Sequence, residues 1–124
     1  MFITIAFNKN NFLFKNIVTI DPLSYLEFNY LVKNSKCVIT DSGGITEETT
    51  VMNIPCITLR DSTERPETVL YGTNVLVGNN YKKLKNSLKN LFLNNWKKGI
   101  IPELWDGKSS ERIIKNLLNK INKN

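Results

Sequence analysis

Two consecutive glycines, Gly43 and Gly44, follow Asp41 and Ser42 directly after the short apolar run Cys37–Thr40. Backbone without a Cβ can approach a ligand closely. A strand, a glycine turn and a helix start also aim amide N–H groups and the helix dipole at an anion. Ser42 can add a hydroxyl donor. The same pair also suits a tight strand-to-helix turn with no ligand, so from these residues alone binding and turn-making stand equally open. Glu47 and Glu48 follow about one turn into the helix. Glu48 is four residues past Gly44, on roughly the same face, where a carboxylate can accept two hydroxyls such as those of a ribose. Glu47 is read as a solvated residue or a partner of the helix dipole. Arg65 stands just before Pro66 at a helix start and offers a cation for phosphate. Arg60, Asp61 and Glu64 can equally pair among themselves and only shape their loop.

The remaining composition removes several chemistries. The 124 residues contain no histidine, which excludes a Ser/His/Asp site, a Cys/His pair and an ordinary zinc site. Neither G-x-x-x-x-G-K-[ST] nor G-x-G-x-x-G occurs. No catalytic residue, metal ligand or cofactor is expected from this chain. Cys37 and Cys56 both lie in strand-like runs with no metal or disulfide spacing, so both read as small reduced core residues. No apolar run reaches the ~18 residues of a membrane span, and the start MFITIAFNKNNF lacks a basic leader and cleavage site. The expectation is a soluble, cytoplasmic protein. The net charge of +6 is unevenly placed: residues 1–80 carry six Lys/Arg and eight Asp/Glu, residues 81–124 eleven and three. The excess is lysine on the last two helical segments, far from the glycine turn and without interleaved aromatics. A solvated helix face explains it better than nucleic-acid binding does.

The elements that must position these residues alternate. Ile17–Ile20 is a β-branched run and is expected as a buried strand, while residues 1–16 have no clear period beyond a strand-like MFITIAF. Asp21 and Pro22 predict a helix start, and the helix to Asn34 carries one apolar stripe of Leu23, Leu26, Tyr30 and Leu31. A second stripe holds Tyr25, Phe28 and Val32. Strands are expected at Cys37–Thr40, Ile54–Leu59 and Asn74–Val77. Helices are expected at Gly44–Met52, Pro66–Tyr71, Tyr81–Asn95 and after Asp106-Gly107, the last with a stripe of Ile113, Ile114, Leu117, Leu118 and Ile121. This is α/β: a Rossmann-like parallel sheet with helices on both faces, binding ligands at the carboxyl ends of its strands. Four strands and an ill-defined lead-in look like half of a larger sheet, with an uncovered flank.

The run ITDSGGITEE, then PCITLRDSTERPETV, then GTNVLVG resembles the carboxyl-terminal part of the non-hydrolysing UDP-N-acetylglucosamine 2-epimerases. The resemblance includes IDPLSYLEF and IPELWDGKSSERI and runs from about Asn16 to the end, leaving residues 1–15 as a divergent or poorly ordered lead-in. It implies that residues 16–124 are part of the UDP-binding second domain of a glycosyltransferase-B-like fold. Ser42, Gly43 and Gly44 would hold the diphosphate, Glu48 the ribose hydroxyls, and Arg65 the phosphate region. Phe28 would pack on the uracil, and Leu23 falls where relatives can place a polar residue near the base. The family interconverts UDP-GlcNAc and UDP-ManNAc, a step in polysaccharide biosynthesis, by elimination of UDP and its re-addition. The acidic catalytic residues of the first domain and the histidine early in the second have no counterpart here. The resemblance therefore implies a truncated UDP-binding portion, a binder of UDP or a UDP-N-acetylhexosamine that is inactive unless joined by a partner. That partner is a separately encoded amino-terminal half or a second copy in a homodimer. The alternatives are a non-catalytic nucleotide-sugar binding module or a glycosyltransferase-B half-domain.

Overall fold

The computed structural model describes residues 3, 4, 18 and 20–122. Among the described residues four parallel strands form one sheet in the order β1-β2-β3-β4: β1 (Ile3–Thr4), β2 (Val38–Thr40), β3 (Cys56–Thr58) and β4 (Asn74–Leu76). Helices α1 (Tyr25–Lys33), α2 (Gly43–Val51) and α3 (Pro66–Leu70) are the crossovers. After the sheet come α4 (Tyr81–Phe92) and α5 (Ser109–Ile121). Right-handed crossovers between parallel strands in sequential order carry their helices on one face as a general rule, and α2 and α3 pack against each other and against the sheet. The opposite face is left for α4.

Strand alternation divides the core accordingly. Ile39, Ile57 and Val75 stand in one register row, and with Cys37 and Val77 they pack against Leu84, Leu88 and Leu91 of α4 and against Trp96. The indole N–H of Trp96 donates to the Thr73 carbonyl at 2.9 Å, which locks the end of that layer to the sheet. The rows Val38–Cys56–Asn74 and Thr40–Thr58–Leu76 face the other way, toward α2 and α3. This second layer is unusually polar: Thr46, Thr49, Thr50, Thr58, Thr68 and Asn74 are all buried, and so is Thr73 in the lead-in to β4. It is stable because the hydroxyls are satisfied locally, as buried polar groups must be. Thr46 donates to the Gly43 carbonyl at 2.6 Å, Thr50 to Thr46 at 2.8 Å, and Thr73 to Ile54 at 2.6 Å.

Two local expectations are corrected. Ile17–Ile20 is not a buried strand: Val18 and Ile20 lie outside any strand and are exposed, while Ile17 and Thr19 lie outside the described residues. The edge beside β2 is occupied instead by Ile3–Thr4, paired with Val38 and Ile39. The first helix starts not at Asp21-Pro22 but after Ser24, because Ser24 and Glu27 form a capping box. The Glu27 carboxylate accepts from the Ser24 backbone at 3.0 Å and its hydroxyl at 2.7 Å, and these bonds hold its pKa below the usual range. The stripe of Leu23, Leu26 and Tyr30 is exposed; it is Val32 that is fully buried, with Phe28, Asn29 and Leu31 half-buried. Among the described residues no helix is long and apolar enough to cross a membrane.

Candidate functional site

Parallel strands bring the loops after β2, β3 and β4 to one edge of the sheet; Ser42, Gly43, Gly44 and Arg65 lie at the first two of these loops, Glu48 farther along α2 and Phe28 on α1. Leaving β2, the chain turns at once: the Ser42 amide donates to Thr40 Oγ1 at 3.0 Å and α2 begins at Gly43. Ser42 occupies the N-cap position in extended conformation, yet its side chain makes no capping bond. The first amides of α2 have no carbonyl partner within the helix, and no side chain of the N-cap covers them. A Cβ built on Gly44 would meet nothing within 4 Å, so the turn is open on that side. On the other side a Cβ on Gly43 would stand 3.7 Å from Glu64 Oε2 and 3.8 Å from Arg60 Nη1.

Those two atoms belong to an ion pair. Arg60 Nη2 lies 3.1 Å from Glu64 Oε1 and Nη1 lies 3.3 Å from Oε2, a two-pronged contact across four residues. Glu64 is held below the usual carboxylate range by its own backbone N–H and by the Arg60 charge. Arg65 is paired as well, to Glu47 on α2, with Nε 2.6 Å from Oε1. Its backbone is fixed from below by a buried relay. Thr58 donates to Asn74 Oδ1 at 2.6 Å, Asn74 donates to Thr68 Oγ1 at 3.1 Å, and Thr68 donates to the Arg65 carbonyl at 2.8 Å. Strand β4 thus sets the position of Arg65 at the start of α3.

The structure brings Ser42, Gly43, Gly44, Arg60 and Glu64 to one turn and ties Arg65 to α2 beside it. Glu48 is half-buried on α2 and, among the described residues, forms no ion pair, unlike its neighbour Glu47. Phe28 is half-buried on α1, a separate element, and Leu23 is partly exposed ahead of that helix. Sequence reasoning left the Arg60–Glu64 pair as one option for the loop; the i,i+4 spacing of opposite charges is its signal. It did not find the Glu47–Arg65 bond, which joins two elements and leaves no trace in local spacing. Among the described residues no group of three or more His, Cys, Asp or Glu is assembled to hold a metal ion.

Residues 4–118 match the family model of UDP-N-acetylglucosamine 2-epimerase. The chain belongs to that family. The match starts ahead of Asn16 and takes in part of β1. A UDP-N-acetylglucosamine 2-epimerase of Methanocaldococcus jannaschii is 49% identical over 106 residues, covering 83% of this chain and 28% of the relative. The Escherichia coli K12 enzyme of the same name is 42% identical over 77 residues, 62% of this chain and 20% of its own length. Solved structures agree. The M. jannaschii enzyme in complex with UDP-GlcNAc and UDP superposes with a TM-score of 0.67 at 47% identity, covering 82% of this chain and 27% of that one. The Neisseria meningitidis enzyme bound to UDP-GlcNAc gives 0.74 at 36% identity over 84% and 29%. The fold is a Rossmann-like part of a glycosyltransferase-B-like architecture. The chain spans less than a third of the length of these epimerases.

Proposed function

We propose that this epimerase-family chain is a UDP-binding portion, taking UDP or a UDP-N-acetylhexosamine at the turn between β2 and α2. The observation that carries the reading is the uncapped, open N-terminus of α2 at a glycine pair, in a family whose solved members hold UDP-GlcNAc and UDP. The diphosphate would lie on the amides and hydroxyl of Ser42, Gly43 and Gly44, where the helix dipole and unpartnered N–H groups favour negative charge. Arg65 would add charge from the start of α3. Glu48, on α2 and in no ion pair among the described residues, would accept the ribose hydroxyls, and Phe28 would present its ring to the uracil. Residues 16–124 would form this portion of the second domain. Two free, buried thiols, Cys37 and Cys56, support a reducing cytoplasmic setting.

Interconversion of UDP-GlcNAc and UDP-ManNAc would require groups beyond those assembled here, supplied by an amino-terminal half. The purified chain is expected to show no conversion alone, and robust turnover without a partner would overturn this part of the reading. The ribose assignment has its own test. Glu48→Ala should weaken UDP by about tenfold, as for a charge-assisted hydrogen-bond pair, and 2′-deoxy-UDP by less. Equal losses for both ligands would count against Glu48 as the ribose acceptor.

A further inference from the structure

Between Cys37 and Asn80 the sequence holds six acidic residues, Asp41, Glu47, Glu48, Asp61, Glu64 and Glu67, and only two basic ones, Arg60 and Arg65. A diphosphate bound at the α2 turn has to be neutralised chiefly by those two arginines. Arg65 is drawn toward Glu47. Arg60 is the better anchored of the two. The Leu59 amide donates to the Thr40 carbonyl at 2.8 Å, and the Gly78 amide donates to the Arg60 carbonyl at 3.1 Å. The root of Arg60 is therefore pinned between the ends of β2 and β4. From that root its guanidinium reaches back over the first turn of α2, with Nη1 3.8 Å from where a Cβ of Gly43 would stand, an ordinary contact distance that places it directly beside the turn.

We infer that Arg60 is a further phosphate-binding residue of the UDP site, held in place by Glu64 until a phosphate oxygen replaces that carboxylate. The inference rests on the UDP-binding reading. A carboxylate and a phosphate present the same pair of oxygens to a guanidinium, so the two-pronged contact with Glu64 is the geometry a phosphate would inherit. The exchange costs little, because the Glu64 side chain is 70% exposed and an ion pair so open to water is weak. Arg60 then contributes where charge is present and contributes nothing toward the nucleoside.

Titration of the whole chain with UDP and with uridine, followed by ligand-observed NMR, tests this. Arg60→Gln should weaken UDP by roughly tenfold while leaving uridine unchanged, the loss expected for one hydrogen-bonded charge. Glu64→Gln, which removes the competing carboxylate, should tighten UDP by about two- to threefold at low salt. Unchanged uridine binding also certifies that the variants are folded. An Arg60→Gln chain with the native ratio of UDP to uridine affinity would overturn the assignment of Arg60 alone. A native chain that fails to bind UDP would instead overturn the UDP-binding reading, and this inference with it.

Discussion

Glu47 and Glu48 are adjacent in sequence but meet different surroundings, since each helical step turns the side chain by about 100°. Glu47 reaches Arg65 on the next crossover, and Glu48 on α2 forms no ion pair among the described residues. The face relation between Gly44 and Glu48 was legible from spacing alone. The Glu47–Arg65 bond was not, because it depends on where α3 lands. Both of its side chains are substantially exposed, at 38% and 52%, and such pairs contribute only about 0–1 kcal/mol. Glu47→Gln should therefore shift stability by under about 1 kcal/mol in urea melts; a loss several times larger would show that the bond holds the two loops together. Cys37 gives a pH-dependent prediction. Burial, with the neighbouring Cys56 thiol adding to it, pushes its pKa up from 9.0 to about 12. Between those values the unfolded chain loses a proton that the folded chain keeps, so stability falls as pH rises through that window. The slope from this group is at most about 1.4 kcal/mol per pH unit. Compared with native protein, Cys37→Ala should show a shallower decline in melting temperature above pH 9, and parallel declines would contradict the burial argument.

At the scale of elements, the strand-to-helix alternation after residue 37 could be read directly: short β-branched runs, glycine and asparagine stops and the helix-starting Pro66 all point the same way. The first strand could not. MFITIAF and Ile17–Ile20 are equally strand-like, and only pairing with Val38 and Ile39 selects Ile3–Thr4 for the edge. The threonine-rich layer was also hidden, because a polar residue in a strand looks surface-facing until its partners are known. Asn74 is the clearest case. It is fully buried, and its amide joins Thr58 to Thr68 and so to the Arg65 backbone. Asn74→Ala should cost about 2–4 kcal/mol, counting the two hydroxyls left without their amide partner. It should also weaken UDP more than uridine if Arg65 is set by this relay. Gly72 limits the same layer by size, since an added Cβ would fall 2.5 Å from Thr50 Oγ1 and 2.6 Å from the Thr68 carbonyl. Overpacking of that kind costs about 1–3 kcal/mol, so Gly72→Ala should lower the urea midpoint. A neutral result would show that α2 and α3 can part freely.

Across the whole molecule the two amphipathic helices at the end differ in fate. Leu84, Leu88 and Leu91 of α4 pack against one face of the sheet. The stripe of α5 was equally plain in sequence, yet Ile113, Ile114, Leu117, Leu118 and Ile121 all remain exposed by more than half. A contiguous apolar stripe of that kind drives association or aggregation. Light scattering should show concentration-dependent self-association that Ile114→Lys with Leu117→Lys suppresses; a clean monomer at high concentration in the native chain would contradict it. The chain spans under a third of its relatives' length. Sequence periodicity reports that a face is apolar and cannot report what covers it.

Every role proposed for this chain depends on nucleotide binding at the turn that joins β2 to α2. Calorimetric titration of the native chain with UDP, beside Glu48→Ala and Arg65→Ala, measures it most directly. A saturable heat for the native chain, weakened about tenfold or more in each variant, is the predicted result. No measurable heat for the native chain, or heats indifferent to both substitutions, would contradict it.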